Sequence, residues 1–429
     1  MAQGLWTFFY KVLILFICFE EIFGNTIFPL TSMKYPLILL LLSRVLVVKQ
    51  RKEFYFSTMI IVFYLMLFIY LVFSIPDFIQ INANGFHVWK RFIWLPLLIF
   101  LFNNSQIITG KNISYFLKYF VHFVVAYSIL NFVLYFMPLP IWNEDEQYWG
   151  RITVGYPTID VVVITYALLL VFFYKEICFS LSRRIIYTLI LSISIISQAS
   201  GTGILLLLMI YILNVINSIT YMRTPTEKRK GFDRKTVTVF YLNLFLFFSL
   251  FFSLYNYIKT ENPELIDGLE THMENRFNVL AGKEEESKLQ VNTMDIRKDE
   301  FALAERHVIK NDVVKELFGC GFGVLTSKSQ SGNLQFMLED QFHSNLLSIG
   351  WLGNSLYICI FLYILYVCFL RRKKRRYLYI YAPACMITFI ASFTSVCICA
   401  IGISLPLALV VVDYYDFIKT SQIGLQKSN

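Results

Sequence analysis

The chain has 429 residues, of which 57% are hydrophobic and only 16% are charged. Soluble domains carry about 25% charged residues, because water must meet a polar surface. Soluble packing cannot bury so many apolar side chains, so this composition excludes an ordinary soluble protein and predicts an integral membrane protein.

The net charge of +9 is concentrated in short segments between apolar runs. Segments 49–53, 223–235 and 371–376 hold three, six and six of the 38 Lys and Arg residues. Such segments are typical of cytoplasmic loops under the positive-inside rule. A nucleic-acid-binding protein needs its basic residues on one folded face, and these loops are too short to fold. We therefore expect no nucleic-acid partner.

Long apolar runs predict an all-α polytopic membrane fold of about twelve transmembrane helices. Alternating the side of each connection places both termini and the dense basic segments together in the cytoplasm. No small-residue cleavage site follows the first apolar run, so we expect the first helix to remain uncleaved. The predicted helices are 5–24, 28–48, 54–75, 88–103, 114–138, 159–175, 185–198, 203–220, 237–258, 346–369, 377–394 and 397–413.

The helices divide the chain into three parts. Residues 1–258 carry the first nine helices, and 346–429 carry the last three with a cytoplasmic tail. Between them, 259–345 form one large extracytoplasmic loop with 16 acidic residues, 10 basic residues and three of the five histidines. This loop is the segment most able to form a small structure of its own.

One segment of this loop, 297–318, predicts an amphipathic helix. Phe301, Val308 and Leu317 are among the apolar residues that recur there at near-helical spacing. The glycines of GCGFG (319–323) then end the helix in a turn. A helix of this kind can lie along the outer membrane interface.

His343 is the strongest candidate for a catalytic residue. It begins the motif HSNLLSIGWLG, where the long loop is predicted to meet the tenth helix. A histidine at a membrane–water boundary can be partly desolvated and neutral, which suits a general base. The alternative is an interfacial histidine in contact with lipid headgroups.

Three arginines, Arg151, Arg276 and Arg297, lie on the predicted outer face, where the positive-inside rule does not supply them. A guanidinium group binds phosphate oxygens with two parallel hydrogen bonds, so a lipid diphosphate is a natural ligand. Solvated ion pairs with the acidic loop are the alternative, above all for Arg276. No Cys or His spacing typical of a zinc site occurs, and we expect neither a metal nor another cofactor.

Taken in order, these motifs resemble the bacterial O-antigen and capsule repeat-unit polymerase family, whose relatives are the O-antigen ligases. Members of this family often carry Trp where Phe301 stands, and Asn follows the histidine more often than Ser344 does. The resemblance covers about 200 residues. The matching segments are Arg151 with Gly155, SQASGTGILLLL (197–208), Arg297 with Phe301, LFGCGFG (317–323) and HSNLLSIGWLG (343–353).

The resemblance implies a metal-independent glycosyltransferase in a bacterial inner membrane. It would polymerise undecaprenyl-diphosphate-linked oligosaccharide repeats, as both donor and acceptor, into O-antigen or capsular polysaccharide on the outer face. His343 would act as the base, while Arg151 and Arg297, with Arg276, would bind the diphosphate. Membrane lipids and a chain-length regulator protein would be its partners.

Two other functions remain open from the sequence. An O-antigen ligase would use the same donor but deliver the glycan to lipid A-core, and the two differ mainly in variable loops. A lipid-linked oligosaccharide flippase or transporter would be expected to concentrate functional charges within its helices. Here the charges gather in the outer loop, which favours the polymerase interpretation over transport.

The predicted topology can be tested by cysteine labelling from each side of the membrane. We expect a cysteine at Ser287 to react with an impermeant reagent from outside, and one at Lys374 to react only from inside. The physical reason is the contrast between the acidic loop and the basic segments. Labelling of both positions from the same side would contradict the twelve-helix topology.

Overall fold

The structure is a computed structural model. The described residues are 2–19, 33–48, 58–79, 89, 92–105, 107–108, 111–135, 157–177, 179–198, 200–223, 234–261, 263, 267, 270–271, 274, 302, 305–310, 312–323, 341–393 and 400–426. They are almost entirely helical, and no β-strand occurs among them. The predicted all-α class is therefore confirmed for this part of the chain.

Thirteen α-helices lie within the described residues. A 3₁₀ turn at Lys175–Ile177 and single π-helical turns at Glu305–Ile309 and Tyr377–Tyr381 accompany them. The α-helices are α1 (Ala2–Cys18), α2 (Lys34–Val48), α3 (Thr58–Ile79), α4 (Trp94–Asn103), α5 (Lys111–Tyr135), α6 (Pro157–Phe173), α7 (Leu181–Ser197), α8 (Gly201–Arg223), α9 (Arg234–Glu261), α10 (Val313–Phe318), α11 (Gln341–Leu370), α12 (Ala382–Ser392) and α13 (Ile401–Gln426).

Each of the twelve predicted segments overlaps one of these helices, and α10 is the additional one. The ends differ most at α13, which continues to Gln426, whereas the prediction ended it at 413. The prediction followed the apolar run, which stops at Val412. A helix does not have to end there, because its backbone hydrogen bonds can continue through polar residues.

Four helical segments are long and apolar enough to cross a membrane: Asn112–Leu134, Gly201–Arg223, Gln341–Leu370 and Ile401–Lys419. Shorter apolar segments occur in six other places among the described residues, including Gln3–Cys18 and Asp160–Phe173. Together these helices indicate a membrane protein. The count of about twelve crossings and the side on which each end lies remain predictions.

The chain folds as two compact units, each assembled from separate stretches. Unit 1 comprises Met1–Leu41, Lys111–Glu286 and Arg372–Ile387. Unit 2 comprises Leu42–Gly110, Ser287–Arg371 and Thr388–Asn429.

Helix α6 forms the centre of unit 1. Its residues from Asp160 to Phe173 are all buried, and it contacts α5, α7, α8 and α9. After Asp160 its sequence has no charged residue, so every face is apolar or weakly polar. A helix without a polar face belongs in the interior, which explains its central position.

Polar contacts bring several helix ends of unit 1 together. The Arg376 guanidinium forms an ion pair with Glu176 at 2.5 Å. Thr236 Oγ1 donates a hydrogen bond to the Phe172 carbonyl at 3.0 Å and accepts one from Arg184 at 3.5 Å. The end of α6 and the starts of α7, α9 and the Tyr377 turn therefore lie together within unit 1.

In unit 2, helix α4 packs against α3 and α13, and α11 also contacts α3. The residues of α13 from Ile403 to Tyr414 are all buried, so this helix lies in the interior of the unit. The first turns of α11 belong to the same unit. Those turns contain His343.

Candidate functional site

His343 lies in the first turn of α11 rather than in the connection before it. The prediction began this helix at 346, but α11 starts at Gln341. The His343 side chain is half-buried. Its ring meets that of Phe342 edge to face with centroids 5.6 Å apart, and Phe342 stacks on Phe393 at 5.8 Å. Phe342 thus joins the His343 ring to the aromatic ring of Phe393 at the start of the helix.

A break at Gly350 divides α11 into two parts. Gly350 has φ 66° and ψ −174°, a conformation that is essentially restricted to glycine. The first part, 341–349, is a helical segment of about two turns, and the second part runs from Trp351 to Leu370. Because helix ends leave carbonyl oxygens without intrahelical partners, the break creates acceptors that must be satisfied elsewhere.

The GCGFG turn supplies the donors for these acceptors. The Cys320 N–H donates to the Leu347 carbonyl at 2.8 Å, and the Gly321 N–H donates to the Ser348 carbonyl at 3.0 Å. Satisfying backbone carbonyls away from water avoids a cost comparable to a lost hydrogen bond for each. The sequence interpretation of this turn as a helix stop is confirmed, since α10 ends at Phe318, but its docking onto α11 was not predicted.

Two glycines make this close approach sterically possible. A Cβ atom on Gly350 would come within 2.4 Å of the Leu317 carbonyl oxygen. A Cβ atom on Gly319, whose φ is +82°, would come within 2.4 Å of the Ser348 carbonyl oxygen. The two backbones therefore touch where any other residue would place a side chain. We call this contact, from Gly319–Gly321 to Leu347–Gly350, the glycine dock.

Aromatic rings pack against Phe322, which directly follows the glycine dock. Phe322 is fully buried, and its ring lies 4.7 Å from that of Phe92 and 6.1 Å from that of Tyr70. The neighbouring Cys320 is half-buried, and burial raises the pKa of its thiol. Its thiol therefore stays protonated at neutral pH and is a poor nucleophile.

A row of buried amide side chains extends along α11 beside the glycine dock. Gln341, Asn345 and Asn354 are fully buried. Gln341 Nε2 donates to Asn345 Oδ1 at 2.9 Å, and Asn345 Nδ2 donates to Asn354 Oδ1 at 3.5 Å across the Gly350 break. Asn354 Nδ2 has no hydrogen-bond partner among the described residues. This row was not predicted from the sequence, although Gln341 and Asn345 are polar residues at i, i+4 spacing.

The predicted amphipathic helix at 297–318 is not one helix in its described part. A π-helical turn covers Glu305–Ile309, Lys310 has a positive φ of 52°, and α10 begins at Val313. The Asp312 carboxylate accepts hydrogen bonds from the amides of Val314 and Lys315, the second and third residues of α10. This N-cap begins a new helix after the break at Lys310. The apolar spacing runs through that break, which is why the prediction did not include it.

The three predicted arginines, Arg151, Arg276 and Arg297, lie outside the described residues. Their proximity to His343 remains a prediction. The SQASGTG segment is described except for residue 199, and it forms the tight connection predicted between α7 and α8 in unit 1. There a Cβ atom on Gly203 would meet Val161 at 2.8 Å, so this glycine lets α8 pack closely against α6.

Among the described residues, no group of three His, Cys, Asp or Glu side chains lies close enough to hold a metal ion. The chain matches no protein-family model, and a search of curated proteins found no match to it. Its function therefore has to be inferred from its own residues. The arrangement offers a half-buried imidazole on a helical segment that is hydrogen-bonded to the GCGFG turn, which is suited to proton transfer.

The glycine dock makes Gly350 intolerant of a side chain. We expect Gly350→Ala to lower thermal stability, because alanine would be strained by about 1–3 kcal/mol at this φ and ψ and would also clash with Leu317. Purified protein in detergent can be followed by thermal unfolding and by limited proteolysis near α10. Gly4→Ala is the control, since no atom lies within 4 Å of its added Cβ. Equal melting of the two variants would contradict the glycine dock.

Proposed function

We propose that this protein polymerises undecaprenyl-diphosphate-linked oligosaccharide repeats into O-antigen or capsular polysaccharide on the outer face of a bacterial inner membrane. The observation that carries the proposal is His343, half-buried in the first turn of α11, about one turn before the carbonyls that the glycine dock engages. The apolar helices supply the membrane setting that a lipid-linked substrate requires. The ordered motifs between Arg151 and the HSNLLSIGWLG segment supply the resemblance to this family.

The glycine dock supports the proposal because it joins two segments of that resemblance. LFGCGFG and HSNLLSIGWLG are separated along the chain by about 20 residues, yet their backbones are hydrogen-bonded to each other. A catalytic side chain must be held to within about half an ångström by its surroundings. Main-chain hydrogen bonds and packed aromatic rings give the His343 turn such support.

The proposed reaction is a single glycosyl transfer. His343 takes the proton from the acceptor hydroxyl, and the hydroxyl oxygen forms a bond with the anomeric carbon of the donor. The bond between that carbon and the diphosphate oxygen breaks, and undecaprenyl diphosphate leaves with the electron pair. The proton on the imidazole then passes to water.

Two kinds of positive charge act on the leaving diphosphate in this proposal. Arg151 and Arg297, with Arg276, bind its oxygens through their guanidinium groups. The positive end of the α11 dipole lies in the turn that carries His343, and a helix N-terminus favours a negatively charged group nearby. These charges stabilise the transition state without a metal ion or other cofactor.

A strain lacking this gene provides the test of the function. We expect a gel of its surface polysaccharide to show single repeats attached to the acceptor, because repeats are still made, moved and joined but not extended. Loss of a ligase would leave the bare core instead, and loss of a flippase would also remove surface repeats. Either of these two patterns would refute the polymerase proposal.

The catalytic assignment is tested by replacing His343 in purified protein supplied with lipid-linked repeats. We expect His343→Ala to lower chain extension by about 10²–10⁴, which is the usual effect of removing a general base. The readout is chain length on a gel, with donor binding measured separately. His272→Ala and His307→Ala are matched controls, since neither lies in a similar motif, and they should stay within a few-fold of wild type.

Near-normal extension by His343→Ala would show that another group takes the proton. The assay is run without added metal. An absolute requirement for a divalent cation would contradict the assignment of the diphosphate charge to arginines alone.

A further inference from the structure

The short helix α10 presents an apolar face that the rest of the protein leaves exposed. Val313, Val314, Leu317 and Phe318 are 64%, 65%, 46% and 48% exposed. At about 100° per residue, these four side chains share one arc of the helix, while Lys315 and Glu316 occupy the remaining arc. An exposed apolar arc opposite charged residues is typical of helices that lie in a membrane interface.

The glycine dock holds α10 beside the point where α11 breaks. Gly319 directly follows α10, and its backbone meets α11 between Ser348 and Gly350. Trp351 and Leu352, which follow the break, are 47% and 50% exposed. The exposed apolar surface of α11 therefore begins next to the residues of α11 that α10 contacts through Gly319.

The length of the second part of α11 indicates what covers this surface. Trp351–Leu370 contains no charged residue, and roughly 20 residues of helix rise about 30 Å, the thickness of the hydrocarbon core. Arg371 then begins the basic run. Tryptophan is enriched at membrane–water interfaces, and arginine marks the cytoplasmic side. These two residues thus mark opposite boundaries of one crossing.

We propose that α10 and Trp351 form a membrane anchor in the outer headgroup interface. The occupant of the exposed apolar face is the lipid bilayer, because that face adjoins the end of a helix whose apolar length matches one crossing. The anchor holds segment 341–349 at headgroup depth through the glycine dock. In the proposed function, on which this consequence rests, it keeps His343 level with the diphosphate of a lipid carrier.

Spin labelling of the full chain tests the anchor. The protein is prepared with its eight native cysteines replaced, and it is placed in nanodiscs of phosphatidylethanolamine and phosphatidylglycerol. Nitroxides are attached at single cysteines replacing Val314, Leu317, Lys315 or Glu316. A fifth label at Leu362, which is exposed in the middle of the apolar part of α11, gives the reference for the bilayer interior.

We expect power saturation to show that labels at Val314 and Leu317 favour oxygen over an aqueous nickel chelate, at a depth shallower than Leu362. Labels at Lys315 and Glu316 should favour the nickel chelate. If all four α10 labels favoured nickel, α10 would lie in water and the anchor would be refuted. Shielding of Val314 and Leu317 from both reagents would show that protein covers the face, which would also overturn it.

These measurements involve no glycosyl transfer. A negative result here leaves the polymerase proposal intact, because catalysis by His343 does not require α10 to touch lipid. A normal surface polysaccharide in the deletion strain would refute the polymerase while leaving the anchor unaffected.

Discussion

The backbone contact at Gly350 is the constraint on which the arrangement of α10, the GCGFG turn and α11 depends. The break in α11 leaves carbonyl oxygens that must be satisfied away from water, and the amides of Cys320 and Gly321 satisfy them. This is possible only because Gly319 and Gly350 have no side chains at the point of contact. One consequence is the position of α10; another is the burial of Phe322 against Phe92 and Tyr70.

In each of the two units, buried polar side chains join helices or parts of a helix through hydrogen bonds. In unit 1, Thr236 links α6, α7 and α9 through the Phe172 carbonyl and the Arg184 guanidinium. In unit 2, the amides of Gln341, Asn345 and Asn354 link the two parts of α11 across its break. Hydrogen bonds of this kind are strong in a low-dielectric interior and costly when incomplete, so they specify how the helices align. Apolar packing alone would allow several alignments.

The sequence predicted His343 as the candidate catalytic residue, but it did not predict how the helices and turns around His343 are arranged. His343 was identified from its motif and from its position after a polar loop, and the structure places it within a helix that starts five residues earlier than predicted. Residues 341–345 were assigned to the loop because they include Gln341, Ser344 and Asn345, which are unusual in a buried helix. Likewise, apolar spacing across 297–318 predicted one helix, because spacing does not reveal the Asp312 cap that begins a new one.

The sequence by itself determined where the helices lie and which connections are basic. Apolar runs and charge are local properties of the chain. They favour a membrane helix or a cytoplasmic loop in a segment regardless of which other segments it packs against. Tertiary structure alone decided that α6 is central in unit 1, that the GCGFG turn docks on α11, and that α11 breaks at Gly350. These features depend on hydrogen bonds and close approaches between residues far apart in the chain. In the sequence, Gly350 indicates only a position where the backbone is free to adopt unusual angles. The tertiary structure shows that the Leu317 carbonyl lies where any other residue would place its Cβ atom.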